Sequence, residues 1–526
     1  MKIGIKILYL CTAVFISVSA WSQKQAANWL FGYRAGITWN ITQNIEVKGI
    51  NVPDKVLSGL PTNLPTSPTI PINTLEGCFS LSDAAGNLML FSDGVTIWNR
   101  NMKTIVTNLT GNSSSAQSGI IIPNPGHPQQ YMAITMDDLD KNRFAYAIVD
   151  MSDGLGTLVK TESFPAGTYR GKLGESVTAI QTADKEGYWI LAPSKEGGYD
   201  EVPGSRTATY MNVWKVTKTG VVFSGSKELG FAIDPTGNSG THYAHGYLKC
   251  SPDGAYFAWA TWSGGGRLVW GRFDTVTGKV GNVYYSKGSL SARLYGLEFS
   301  PSGKYIYLTD GNTHNGGLFR IAFDNLPSTS NVDINSRFEQ VIPPQDGKRM
   351  AAVQLGPDGR LYVGADSKNS LFVVEDMEES IGNIKSYYLG DSFLKGTCQS
   401  GLPSFSASWF NVQLRGETYF CTGTAQSFTL NMAGHNKWDA PSGLSHVLWN
   451  FGDGTAEVRV NIDDNTAQIV QQHTYANPGV YEIIVKIIQK DGSVLESHTQ
   501  EMEVDATSCV VYVNPHIRSH IINRTL

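Results

Sequence analysis

Three segments of the chain share one order of turn and strand residues: CSPDGAYFAWA, FSPSGKYIYLTD and LGPDGRLYVGAD. Each has a turn built on Pro, Asp or Ser and Gly, followed by a strand in which aromatic and small residues alternate. The turn glycines Gly254, Gly303 and Gly359 give a period of roughly 50 residues, which is the length of one propeller blade. A four-stranded blade is stable only when it packs between neighbours around an axis.

Weaker copies of the pattern extend to both sides, so we expect an all-β chain with a propeller at residues 28–411. This span holds about seven periods, with six blades as the open alternative. We expect the opening strand WLFGYRAGITWN, from Trp29, to pair with the closing segment FSASWFN, from Phe405. Such pairing would seal the ring and remove its free sheet edges.

A second alternating region begins near Gln413 and contains the segments WNFGDGT and QHTYANPGVYEIIVKII. Asp-Gly and Pro-Gly in these segments predict tight turns beside aromatic strands. The region resembles a PKD domain, an immunoglobulin-like β-sandwich of secreted and cell-surface proteins, and we place it at residues 413–508. For Asp453 we favour a role in the turn, with calcium binding as the alternative. The expected motif residues are Trp449, Phe451, Asp453, Gly454, Tyr475, Gly479 and Tyr481.

Eight segments in the propeller region also resemble, in the same order, a secreted propeller-plus-PKD family of Bacteroidetes. They are NWLFG, GCFSLSDAAGNLMLFSDGVTIWN, QSGIIIPNPG, FAYAIVDMSDGLGTL, HGYLKCSPDG, YGLEFSPSGKYIYLT, AVQLGPDGRLYVG and GLPSF. Members of that family often carry a gliding-motility-associated C-terminal module. The resemblance implies export, by the type IX route, and a role at or beyond the outer surface. It implies no catalytic residues.

The first residues predict export. Lys2 and Lys6 precede an apolar run at residues 7–20 that is too short for a membrane span but suits a signal peptide. We expect a signal peptide at residues 1–22, with a lipoprotein anchor at Cys11 as the alternative. Later apolar stretches are too short to predict a transmembrane segment. We expect residues 509–526 to form a disordered tail without a sorting module, so that the protein is extracellular, or periplasmic if no sorting partner exists.

Composition and cysteine content restrict the partners and the covalent structure. Charged residues make up 17% of the chain and the net charge is −5, without a basic stripe, so nucleic acid is not an expected partner. Cys78 and Cys250 lie in apolar strand contexts, where a buried thiol is expected. Cys421 and Cys509 flank the PKD region and are a candidate disulfide, with Cys398–Cys421 as the alternative.

Catalytic and metal motifs do not emerge from the sequence. The ten histidines form no HExxH pattern, and no GxSxG turn is present. We therefore predict no cofactor, no metal site and no enzyme. The predicted function is a non-catalytic adhesion or scaffold protein that recognises a polysaccharide or a surface protein. The alternative is a propeller hydrolase or lyase acting on a carbohydrate or lactone, which would bring acids or histidines together at one mouth of the channel.

Overall fold

The computed structural model describes residues 24–505 except 48, 51–62, 84, 139–142, 165–168, 197–206, 234–245, 262–265, 288–293, 312–315, 411–412, 416–418, 424, 432–441, 464–465 and 467. The regular elements of this part of the chain are β-strands and short 3₁₀ helices. The 3₁₀ helices are Lys24–Ala26, Phe323–Asn325, Asn335–Arg337 and Ala407–Phe410. The predicted signal peptide and tail lie outside the described residues.

Seven antiparallel sheets, blades 1 to 7, follow one another along the described chain. Blades 1 and 2 contain β1 (Asn28–Phe31), β2 (Ala35–Gln43) and β3 (Leu64–Thr66), then β4 (Phe79–Ser82), β5 (Leu88–Ser92), β6 (Ile97–Asn99) and β7 (Thr104–Val106). Blade 3 contains β8 (Gly119–Pro123), β9 (Gln130–Met136), β10 (Phe144–Asp150) and β11 (Thr157–Ser163). Blade 4 contains β12 (Lys172–Leu173), β13 (Thr178–Gln181), β14 (Tyr188–Lys195), β15 (Thr207–Thr217) and β16 (Gly220–Ile233).

Blades 5 to 7 hold the three clear sequence repeats. Blade 5 contains β17 (Leu248–Cys250), β18 (Tyr256–Thr261), β19 (Arg267–Asp274) and β20 (Lys279–Tyr285). Blade 6 contains β21 (Leu294–Phe299), β22 (Tyr305–Asp310), β23 (Leu318–Ala322) and β24 (Glu339–Ile342). Blade 7 contains β25 (Met350–Leu355), β26 (Leu361–Ala365), β27 (Leu371–Glu375) and β28 (Lys385–Tyr388). The predicted propeller is confirmed, with seven blades in the described residues.

The repeated turns form for the reason that the sequence suggests. Gly254 has a φ of +72°, in the left-handed region that glycine adopts without a Cβ penalty. The Ser251 hydroxyl accepts the backbone N–H of Tyr256 at 3.0 Å. In the next blade the Ser300 hydroxyl accepts the N–H of Tyr305 at 3.1 Å. The same hydrogen bond therefore fixes the start of the second strand in both repeats.

The expected pairing between the opening and closing segments is wrong. The opening residues form a hairpin of β1 and β2, and β2 pairs on its other edge with β3, so no edge of β2 is free. The ring closes through side chains and short bridges instead. Trp29 packs edge-on against Tyr362 of blade 7 at 5.5 Å, and Tyr33 forms a β-bridge to Thr397.

The closing residues lie inside the ring, and we call residues 398–409 the channel segment. Every residue from 401 to 409 is buried. Ser400 accepts the N–H of Ala352 in blade 7 at 3.0 Å, and the Ser404 N–H donates to Cys78 beside blade 2 at 3.0 Å. Only blade 1 separates blades 7 and 2, but further bonds of the same segment reach blades 4 and 5 on the far side of the ring. A segment bonded to both sides of a propeller ring lies in its central channel.

Further contacts continue along the channel segment to blades 4 and 5. The Leu402 N–H lies 3.3 Å from the hydroxyl of Tyr247, which precedes β17. The Ser406 hydroxyl donates to the carbonyl of Ala179 at 3.0 Å, and the Gln181 N–H donates to the Ser408 hydroxyl at 2.7 Å. Because Gln181 ends β13, the segment runs from the end where the innermost strands begin to the end where they finish.

Two further sheets form a sandwich after the channel segment. One contains β29 (Gln413–Arg415), β31 (Gln426–Asn431) and β34 (Gln468–His473). The other contains β30 (Tyr419–Cys421), β32 (Leu444–Asn450), β33 (Val458–Asn461), β35 (Gly479–Gln489) and β36 (Val494–Asp505). Phe428 from the first sheet and Trp449 and Val485 from the second share one buried core. The sandwich is immunoglobulin-like, as expected.

Candidate functional site

The end of the channel at which the innermost strands begin is called the entry mouth and is marked by five residues: Glu76, Glu175, Tyr247, Tyr295 and Arg349. Each lies just before or at the start of an innermost strand, so the repeat itself brings them to one end of the ring. The Tyr247 and Tyr295 rings pack edge to face with centroids 5.6 Å apart. Arg349 forms an ion pair of 3.2 Å with Asp366.

The electrostatics of the entry mouth favour neutral tyrosines. Burial raises the pKa of Tyr295 well above its ordinary value, and the nearby Glu76 raises it further, while Arg349 acts in the opposite direction. Burial likewise raises the pKa of Tyr247. Both phenols are therefore protonated at neutral pH, and the Tyr247 hydroxyl donates to the carbonyl of Leu402 at 3.4 Å. Glu175 is only 2% exposed and accepts the N–H of Ala116 at 3.1 Å, a contact that fixes the backbone.

A buried polar network joins blades 5, 6 and 7 near the other end of their innermost strands. The Lys249 ammonium donates to Glu298 at 2.9 Å and to Gln354 at 2.6 Å. All three residues are at most 6% exposed. They occupy the same position of the three repeats, two residues before the serine or glycine that precedes the turn proline. The sequence carries this signal at equivalent positions of the repeats, but the similarity of the turns alone does not reveal it.

An open pocket lies between blades 5 and 6, with a volume of about 170 Å³. Blade 5 contributes Tyr256, Trp270 and Tyr284, one from each of three adjacent strands. Blade 6 contributes the segment after β23, including Phe323 and Asp324. Sequence reasoning missed this site because alternating aromatic residues also predict ordinary packing between blades. The signal available was one aromatic residue on the same face of each of three successive strands, with Trp270 and Tyr284 directly paired and Tyr256 two positions away from the partner of Trp270.

The predicted motif residues of the sandwich lie close together in the structure. Phe451 stacks on His473 with centroids 4.0 Å apart, and the Tyr475 hydroxyl donates to the Phe451 carbonyl at 2.9 Å. The Tyr481 ring is 4.6 Å from that of Tyr475. Trp449 is fully buried. Gly479 begins β35, on the same strand as Tyr481.

Asp453 directs both carboxylate oxygens to neighbouring residues of the sandwich. Oδ1 accepts the N–H of Thr455 at 3.1 Å and its hydroxyl at 2.6 Å, and Oδ2 lies 2.8 Å from Nε2 of His473. Burial would raise the pKa of Asp453, but the hydrogen bonds from Thr455 and His473 lower it below its ordinary value. Gly454 completes the turn with a φ of +82°.

The structure confirms the two predicted buried thiols and excludes one of the two candidate disulfides. Cys78, Cys250 and Cys398 are free and buried, so the buried thiols are confirmed at the first two positions. The Cys398–Cys421 alternative is wrong, because Cys398 is enclosed in the channel segment and its thiol contacts the carbonyl of Gln399 at 3.2 Å. Cys509 lies outside the described residues, so the Cys421–Cys509 bridge stays a prediction.

Within residues 24–505, gaps excepted, no three His, Cys, Asp or Glu side chains come together to form a metal site. In the same part of the chain, no helix has the length and apolar character needed to cross a membrane.

Comparison with known proteins identifies one part of the chain directly. The PKD domain family matches residues 417–504, which cover the sandwich. The chain therefore carries a PKD domain there, and this kind of domain is typical of extracellular proteins and is often involved in binding. A search of curated protein sequences finds no match to the chain.

Solved structures similar to this chain include several propellers. A protein of unknown function from Desulfotomaculum acetoxidans is 10% identical over 82% of this chain and 100% of its own, with a TM-score of 0.33. The Dos1 propeller is 10% identical over 74% of this chain and 91% of its own, with a TM-score of 0.38. A candidate 6-phosphogluconolactonase from Bacteroides fragilis is 12% identical over 62% and 96%, with a TM-score of 0.30. At such scores the likenesses carry no inference about activity.

Proposed function

We propose that the chain is an exported, non-catalytic binding protein that recognises a polysaccharide or a surface protein at or beyond the cell surface. A β-propeller followed by a PKD domain suggests binding or adhesion. We further propose a signal peptide at residues 1–22, a propeller at 28–411, a PKD region at 413–508 and a tail at 509–526. Exit by the type IX route belongs to this proposal and rests on the family resemblance.

The observation that carries the proposal is the channel segment. Its residues 401–409 are buried and bonded to innermost strands on opposite sides of the ring, so the channel is occupied by the protein itself. A propeller tied together in this way is a rigid scaffold whose ligands bind at its outer surfaces, and loops or clefts on rigid scaffolds commonly carry recognition.

The contact between the two domains supports a defined orientation of the scaffold. Lys185, in the turn between β13 and β14, donates through Nζ to the carbonyl of Thr466 in the PKD domain at 2.8 Å. Lys185 is only 4% exposed, and burial lowers its pKa to about 8 although the nearby Asp463 opposes that change. The PKD domain thereby lies at the end of the ring where the channel segment leaves it.

The test is a binding screen with the protein from residue 23 onward against immobilised glycans, cell-wall preparations and intact cells. We expect saturable binding to at least one of these surfaces, with the bound material recovered unchanged. Protein that binds none of them, or that releases shortened products from one of them, contradicts the proposal.

A propeller hydrolase or lyase acting on a carbohydrate or lactone is the second candidate. The observation that favours it is the position of Glu76 and Glu175, which both act electrostatically on Tyr295 at the entry mouth. Two carboxyl groups beside a protonated phenol are groups that acid–base catalysis uses. Product release that is lost in Glu76→Gln and kept in Asp491→Asn, an exposed carboxylate of the PKD domain, would support this candidate.

A further inference from the structure

We propose that the pocket between blades 5 and 6 binds one neutral pyranose unit of a polysaccharide. This proposal rests on the proposed function and names the ligand class and its site. The pocket volume of about 170 Å³ suits a single six-membered ring with its substituents, since a cavity of about 150 Å³ accommodates benzene.

The walls of the pocket present aromatic faces from two blades. The Tyr256 ring of blade 5 lies 4.5 Å from Phe323 of blade 6, and the Trp270 ring lies 6.3 Å from Tyr284. Trp270 is 3% exposed and forms the floor, whereas Tyr256, Tyr284 and Phe323 are half-buried with surface left to offer. The flat apolar faces of these rings are suited to stacking against the C–H face of a sugar, and the tyrosine hydroxyls add polar groups at the ring edges.

The charged groups at the rim favour a neutral ligand. Arg272 places its guanidinium over the Tyr256 ring at 5.3 Å, and Asp324 lines the opposite, blade 6 side. Both side chains are exposed. One donor-only cation and one acceptor-only anion match the hydroxyl groups of a sugar, each of which can donate and accept. Because the two charges have opposite signs, the rim has no net charge with which to attract an acidic or a basic sugar.

The equivalent cleft between blades 6 and 7 shows that the pocket is a departure from the repeat. The strand register places Arg320 where blade 5 has Trp270, and Glu339 where it has Tyr284. Arg320 is 1% exposed, bonds to Glu339 at 2.7 Å and donates to the carbonyl of Met377 at 3.1 Å. That cleft is closed by its own side chains.

In the cleft between blades 5 and 6, the aromatic rings of Trp270 and Tyr284 stand in place of this ion pair, and an open volume lies beside them. Packing between blades does not by itself require aromatic rings at these positions, because blades 6 and 7 pack together with an ion pair there. An aromatic pair beside an open volume is instead the arrangement expected of a cleft that receives a ligand.

The experiment titrates the protein with soluble neutral tri- and tetrasaccharides of glucose, mannose, galactose and xylose, and with a uronic-acid oligomer, by calorimetry. We expect one of the neutral series to bind. Asp324→Ala and Tyr284→Ala should each weaken that binding at least tenfold. The exposed carboxylate variant Asp346→Ala and the outer-strand variant Tyr388→Ala serve as matched controls and should leave it unchanged.

A double variant copies the closed cleft into the open one. Trp270→Arg combined with Tyr284→Glu should abolish saccharide binding, with folding checked by its denaturation curve. Binding that survives in the single variants, preference for the uronic-acid oligomer, or no binding of any soluble saccharide overturns the assignment of the pocket. If the wild-type protein still binds cell walls or surfaces in those cases, the proposed function stands without it.

Discussion

A substitution at Gly401 tests the packing of the channel segment directly. A Cβ added to Gly401 would lie 1.5 Å from the carbonyl oxygen of Glu76 and 2.2 Å from its carbon, and both atoms belong to the backbone. Real Cβ contacts essentially never fall below 3.0 Å, so the segment would have to move. In Gly401→Ala, that movement displaces the neighbouring residue, Ser400, from two backbone hydrogen bonds.

The magnitude follows from those contacts. The Ser400 N–H donates to Leu75 at 2.9 Å, and the Ser400 carbonyl accepts from Ala352 at 3.0 Å. Each bond contributes roughly 1 kcal/mol, and its loss leaves buried groups unpaired at a cost of about 1–3 kcal/mol. Overpacking a tight core adds about 1–3 kcal/mol. We expect Gly401→Ala to lower the free energy of unfolding by about 3–5 kcal/mol.

The assay is urea denaturation followed by tryptophan fluorescence, with the midpoint compared at constant slope. Gly382→Ala is the matched control, because nothing lies within 4 Å of its added Cβ and its φ is not positive. The control should change the free energy of unfolding by no more than about 0.5 kcal/mol. A Gly401→Ala protein that unfolds at the wild-type midpoint would refute the description of the channel segment.

Four further predictions test other parts of the structure. Lys249→Met leaves the buried carboxylate of Glu298 without its cation and should lower the free energy of unfolding by about 3–5 kcal/mol in urea denaturation. An unchanged midpoint would contradict a stabilising role of the network. The pKa of Lys185 is about 8 when folded and 10.5 in the free side chain, so its burial penalty is complete below pH 8 and disappears towards pH 10.5. Lys185→Met should therefore be more stable than the wild type at pH 7, with an advantage that shrinks by pH 10; an advantage independent of pH would contradict this. Tyr475→Phe should cost about 1–3 kcal/mol of PKD-domain stability, measured by thermal melting. Mass mapping of the non-reduced protein should find Cys421 joined to Cys509, and a free Cys421 thiol would exclude the bridge.

The blades were predictable because their signal is local. The turn glycine, the preceding serine and the following strand lie within about ten residues of one another, as at Gly254. Blade 6 repeats that unit, blade 7 repeats it with glycine in place of the serine, and the other blades carry weaker copies. The PKD domain was predictable for the same reason, since Trp449, Asp453 and Tyr475 fall in two short segments with specific turns.

The channel segment was not predictable, because its bonds are long-range. Ser406 bonds to Ala179, which lies 227 positions earlier in the chain, and no periodicity links the two. The available signal is an uncharged run of small and apolar residues at 400–410, and such a run is equally compatible with a closing strand. The pocket was not predictable for a related reason, because it is formed by two blades and Phe323 of blade 6 contacts residues of blade 5.

Retention of the protein on polysaccharide and cell-wall surfaces, with the soluble fraction analysed for products, distinguishes a binding protein from an enzyme. We expect saturable retention and no released saccharide or ring-opened lactone over prolonged incubation. Release of such products, or no retention on any surface, would contradict the claim that this chain is a non-catalytic binding protein.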